Sequence, residues 1–168
     1  KNKKIFKCDL NLNNVEYLCE IPSTFKERVA SKNRLIARIF RLHVRYALNI
    51  RDKYILLVYD DQIWRISLDS IKVTLDFTIP KNRTALYLTL VKGKVHQEDK
   101  IVFGEYFSNP DKKVVNIWST QVHEKSDWRI LNKFNSKEIN HVHNIICDEK
   151  SDNCYVFTGD FGDGAAIW

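Results

Sequence analysis

Apolar and polar residues alternate with a period of two over most of the chain, the spacing of strands with buried faces. Residues 3–10 (KKIFKCDL) and 15–22 (VEYLCEIP) predict two strands around the turn Asn11–Asn14, closed by Pro22. Residues 23–41 break the alternation. There Leu35, Ile36, Ile39 and Phe40 have helical spacing with basic residues between them, predicting a short amphipathic helix or an irregular connection. From Leu42 onward every apolar run reads as strand. LHVRYALNI, YILLVYD, QIWRISL and VTLDFTIP form one group ending at Pro80. TALYLTLV, KIVFGEYF, VVNIWSTQ and WRILNKF form the next. A last group opens at His141–Asp148, turns at Glu149–Asn153, continues over Cys154–Thr158 and reaches a third strand at Ile167–Trp168.

These groups repeat. Ile63–Trp64, Ile117–Trp118 and Ile167–Trp168 recur at intervals of 54 and 50 residues, each on the third strand of its group. The second strands also align, as ILLVYDD, IVFGEY and YVFTGD, each an apolar run ending in an acid. A period of about 50 residues with four strands per unit is the pattern of β-propeller blades. The expected fold is therefore all-β, a propeller of four-stranded blades. Residues 1–22 would be an outer hairpin, 41–80 and 83–135 full blades, and 140–168 an incomplete one. About three blades cannot close a ring of four to eight. The reading is thus half of a six- or seven-bladed propeller, completed by more of the same chain or by a second copy.

Composition narrows the function classes. The 168 residues contain 44% hydrophobic and 29% charged residues, values of a globular domain rather than a disordered segment. No apolar run approaches the roughly 20 residues that span a bilayer, so no membrane span is expected. The net charge of +6 concentrates between Lys26 and Arg51, where Lys and Arg far outnumber acids. That segment would suit an acidic partner, and it gives the alternative reading of a non-catalytic propeller scaffold. No zinc-finger spacing, aromatic RNA-binding pattern or basic heptad accompanies the charge, so nucleic acid is not the expected partner. Cys8 with Cys19, and Cys147 with Cys154, each bracket a short turn. Cross-strand disulfides are possible there, but buried thiols acting as small hydrophobes are the expected state. No methionine is present, which reads as a trimmed or interior piece. No compartment is assigned, the cytoplasm being slightly favoured.

GEYFSNP (104–110), VNIWST (115–120), Trp128 and NHVHNIICDEKSDNCYVFTGD (140–160) resemble an uncharacterised bacterial family of sialidase-like, Asp-box (BNR-repeat) propellers. RLIARIFRLHVRYALNI (34–50) and the segment around Arg83 resemble the same family's earlier portion. The resemblance implies carbohydrate binding, with a glycoside hydrolase as the enzyme class if the protein is catalytic. The Asp-box itself departs from the family text: Ser119 is kept, but Gln121 and His123 replace its Asp and Gly.

In a propeller the starts of the innermost strands surround one mouth. Arg41 or His43, Arg83, and His141 with His143 would reach it from three units, and Asp60 or Asp61, Glu105 and Asp160 would ring it. Arginine forks a carboxylate, and sugars take hydrogen bonds from carboxylates and imidazoles. An anionic glycan is the expected partner, bound by Arg41, Arg83, His141 and Tyr106, with Phe107 and Phe161 as further stacking faces. Glu105 and Asp160 are the candidate acid and base of a glycosidic cleavage, with His143 as a third catalytic candidate. Alternatively, Glu105 pairs with Arg83 and Asp160 caps a turn. His141 and His143 share a strand face, and with Asp160 they have the donor types of a metal site. A hydrogen-bonding or proton-transfer role is favoured for them, and neither a metal nor a cofactor is assigned.

Overall fold

The computed structural model describes residues 3–30, 33, 35–36, 43–51, 53–93, 98–123, 125–148, 150–151, 153–160 and 164–168. Among these residues the chain is all-β apart from short helical pieces at 25–30 and 35–36. The strands are β1 (Lys4–Lys7), β2 (Glu16–Glu20), β3 (Val44–Ile50), β4 (Tyr54–Tyr59), β5 (Gln62–Ser67), β6 (Val73–Thr78) and β7 (Thr89–Val91). They continue as β8 (Lys100–Gly104), β9 (Val115–Gln121), β10 (Arg129–Phe134), β11 (His141–Asp148) and β12 (Asn153–Gly159). Four antiparallel sheets result: β1-β2, β3-β4-β5-β6, β7-β8-β9-β10 and β11-β12, each an up-and-down meander in chain order. No sheet closes on itself among the described residues.

The continuous apolar run of β4 follows from where its two faces go. Leu56 and Val58 point into a cluster with Ile63, Ile101 and Phe103, which joins the second sheet to the third. Leu57 points the other way, into a cluster with Ile66, Cys19 and Ile21, which joins the second sheet to the first. The third sheet repeats the device. Ile101 and Phe103 face back, while Val102, Val115 and Ile117 face forward onto Val142 and Ile145 of β11. Burial on both faces removes the polar alternation that a one-sided sheet needs. The sheets are therefore stacked face to face in chain order.

Contacts at one end of the strands recur between neighbouring sheets. The Thr84 hydroxyl donates to the Asp60 carbonyl, and the Val142 N–H donates to the Glu105 carbonyl at 3.0 Å. Both link the opening of one sheet's first strand to the end of the preceding sheet's second strand. The second contact brings backbones so close that a Cβ on Gly104 would lie 2.3 Å from Val142 Cβ. Only glycine fits there.

Several expectations are corrected in detail. Cys147 and Cys154 form a disulfide rather than two thiols, because the β11–β12 register sets them directly opposite with Cα atoms 4.0 Å apart. Cys8 and Cys19 remain free, since Cys19 is paired with Ile5 and not with Cys8. The strand expected over 84–91 is shorter. Thr84 makes an isolated bridge to Tyr106, and the ladder resumes only at Thr89, with Ala85 and Leu88 turned into the core between them. Ile167–Trp168 lies antiparallel to β12 through a bridge to Phe157 and reciprocal backbone bonds between Val156 and Trp168. A helix, α1 (Phe25–Ala30), opens the ambiguous segment, and the Thr24–Glu27 pair starts it. The Glu27 carboxylate accepts the Thr24 N–H at 2.7 Å while the Thr24 hydroxyl accepts the Glu27 N–H at 3.3 Å, a capping box. Leu35 and Ile36 are helical, whereas Ile39 and Phe40 lie outside the described residues.

Candidate functional site

His141 begins β11 and His143 follows two residues later. In a regular strand both would share a face at a separation of two residues. Here the β11–β12 register shifts between Val142 and Asn144, so His143 is the extra residue of a bulge. The bulge swings its imidazole against that of His141, with Nε2 atoms 3.0 Å apart and ring centroids 4.9 Å apart. Asp160, just past β12, closes the group. Its Oδ2 lies 3.0 Å from His141 Nε2 and its Oδ1 lies 3.1 Å from His143 Nε2. Gly159 makes room, because a Cβ there would stand 3.0 Å from His143 Nε2.

Local bonds hold each member in place. The carbonyl of Phe107 can only accept, so His141 Nδ1 donates to it, at 2.9 Å, and the ring orientation is fixed. Tyr106 packs its ring 4.4 Å from that of His141 and edge-on to His143 at 5.7 Å. Asn109 ties the preceding loop to the start of β11 through the Lys113 and Asn140 carbonyls. The Thr158 hydroxyl donates to the Gly164 carbonyl at 2.6 Å and receives the Trp168 indole N–H at 3.1 Å, tying Gly164 and Trp168 to β12. His141 is buried, while the side chains of His143 and Asp160 are 38% and 39% exposed, so the group opens to solvent on one side.

It opens beside a cleft of about 590 Å³ lined by Arg45, Asp60, Asp61, Lys81 to Thr84, Tyr106 to Ser108, His141 and Asp160. Residues from the second, third and fourth sheets thus share one rim. Of the residues expected at the mouth, Arg83, Tyr106, His141 and Asp160 line this cleft, as do Asp60 and Asp61, and His143 adjoins it through Asp160. Arg41 and Phe161 lie outside the described residues. His43 is exposed and is not among the lining residues.

Glu105 has a different place. It is 0% exposed. Its carboxylate pairs with Arg83 and accepts the Asn116 N–H at 2.9 Å, the Asn116 side-chain amide at 3.1 Å and the Trp118 indole N–H at 2.9 Å. All its acceptor capacity is spent on the protein. The Arg83 guanidinium, spread over the Phe107 ring at 4.3 Å, is held from below by this pair. Glu105 braces the cleft wall, and a substrate in the cleft has no access to it.

Arg45 was missed by reading strand openings alone. HVRY (43–46) and HVHN (141–144) align, and both carry a register shift at the third residue, Arg45 in β3 and His143 in β11. That local identity was the available signal. A larger cleft, about 740 Å³, lies at the other end of the strands and is lined by Arg51, Lys53, Arg65 and His123 among others. Its central cation is already committed: Arg65 is buried against Asp76 at 2.7 Å and bonded to the His123 carbonyl and Ser126. No protein-family model, curated protein or solved structure matches the chain.

Proposed function

We propose that the four sheets are successive blades of a sialidase-like propeller, and that the rim cleft binds an acidic sugar. The observation that carries the reading is one cleft lined together by Arg45, Lys81, Arg83, Asp60, Asp61, Asp160 and Tyr106. Cations suit a sugar carboxylate, carboxylates and an imidazole suit hydroxyls, and an aromatic face suits the pyranose ring. The face-to-face stacking in chain order and the recurring rim contacts support the blade reading. Binding is the function proposed. Hydrolysis by a Glu105–Asp160 pair forms no part of it, since Glu105 is enclosed. Asp160 and the histidines remain the groups able to exchange a proton with a bound ligand.

Calorimetric titration of the chain with glucuronate, N-acetylneuraminate and glucose tests this. The acidic sugars should bind at least about tenfold more tightly than glucose, a difference of about 1.4 kcal/mol. Lys81→Ala should erase most of that preference, and added salt should weaken it. Equal affinity for glucose, or a preference untouched by Lys81→Ala, counts against the reading.

A further inference from the structure

From the geometry we infer that His141, His143 and Asp160 form a binding site for a divalent first-row transition-metal ion, with Zn²⁺ as the reference case. Among the described residues they are the one group of three such side chains whose donor atoms lie within 4.8 Å of one another. The inference stands apart from the acidic-sugar reading, because it rests on these three side chains and their supports alone.

The donor chemistry points the same way. His141 Nδ1 donates to the Phe107 carbonyl, so in the neutral ring the lone pair sits on Nε2, the atom turned toward His143 and Asp160. A ligating imidazole almost always has its other nitrogen bonded in this manner, to a backbone carbonyl or a carboxylate. The two imidazole Nε2 atoms then stand 3.0 Å apart, each with a different Asp160 oxygen at 3.0 or 3.1 Å, and one donor atom from each residue lies within 4.8 Å of the other two. Donors about 2.05 Å from one ion, at angles between roughly 90° and 109°, stand about 2.9 to 3.4 Å apart. The three closest contacts, one between the imidazoles and one from each imidazole to Asp160, fall in that interval.

The supports also look built for a fixed ligand set. A bulge places His143, a glycine gives its ring room, and the Tyr106 ring flanks both imidazoles. Two histidines and one carboxylate leave coordination positions open, and the exposed side of Asp160 borders the cleft. Three protein ligands with an open position are the pattern of sites at which the metal meets an exogenous ligand.

The test is titration of the chelator-treated chain with Co²⁺, followed by visible absorption, and with Zn²⁺ in competition with a chromophoric chelator. One equivalent should bind, with cobalt d–d bands and no thiolate charge-transfer band. His143→Ala and Asp160→Asn, both at half-exposed positions, should each weaken binding at least about tenfold. His123→Ala, which touches the separate Glu98 pair, should leave it unchanged. Circular dichroism checks that each variant is folded, and Asp160→Asn keeps the test decisive if His143→Ala is not. Substoichiometric binding, affinity unchanged in Asp160→Asn, or a thiolate band implicating Cys8 or Cys19 would overturn the inference.

Discussion

Glu105 shows how the meaning of a residue depends on what it can reach. As text it ends an apolar strand in an acid, in the same place as the acids of the neighbouring repeats, and so it read as a member of the rim. In the fold it sits one layer below, where an Arg83 ion pair and three N–H donors saturate it. Its removal should therefore act on stability first. Glu105→Ala strands Arg83, Asn116 and the Trp118 indole, and it should cost about 3 kcal/mol, the lower end for a broken buried pair because Arg83 is 21% exposed. Denaturant unfolding measures this, and a loss under about 1 kcal/mol would mean that water replaces the carboxylate readily. For His141, His143 and Asp160 the reverse holds. Their convergence was legible in sequence, because antiparallel neighbours set the start of one strand beside the end of the next. The bulge that turns His143 was not legible, since a register shift leaves no residue-type mark of its own.

At the scale of elements, period-two patterning located the strands, while the burial of β4 and β8 on both faces emerged only from the fold. Where the reading faltered, local chemistry had outweighed pattern. Helix α1 begins at the Thr24–Glu27 capping box and not at the apolar periodicity further on. Glu27 also ties this helix to the residue before β1, Lys3, at 3.0 Å and to β4 through the Tyr59 hydroxyl at 3.2 Å. Burial pushes its pKa up, but the Thr24 and Lys3 hydrogen bonds outweigh burial and leave it below the usual glutamate range. A lowered folded value means stabilisation that is present above the unfolded pKa, about 4.3, and lost as pH falls through the folded value. Hydrogen-exchange protection factors of the β1–β2 amides should accordingly fall as pH drops below about 4.3, and Glu27→Gln should lower them at every pH. A flat profile in the unsubstituted chain would remove Glu27 from this role. Sheet-to-sheet packing has its own test at Gly104. Gly104→Ala drives a methyl into Val142 and should cost about 1–3 kcal/mol or more. Adding Val142→Ala should return part of that loss, whereas simple additivity of the two costs would show that the clash relaxes elsewhere.

At the scale of the whole molecule, the repeat carried most of what could be anticipated. Three Ile–Trp pairs in register imply three similar sheets, and similar sheets stacked in order bring equivalent strand ends to one rim. Which of the clefts takes a ligand depends on side-chain partners that only the fold reveals, as the enclosed Glu105 and, at the opposite end, the committed Arg65 both show. The alignment of HVRY with HVHN was readable in advance and would have added Arg45 to the residues expected at the cleft. The central claim is that the rim spanning the second to fourth sheets is the ligand site. Its most direct test is a backbone and histidine NMR titration with glucuronate. Shifts should cluster at Arg45, Asp61, Lys81, Tyr106, His141 and Asp160. Shifts gathered instead around Arg51, Lys53 and His123 at the opposite end, or spread without a cluster, would contradict it.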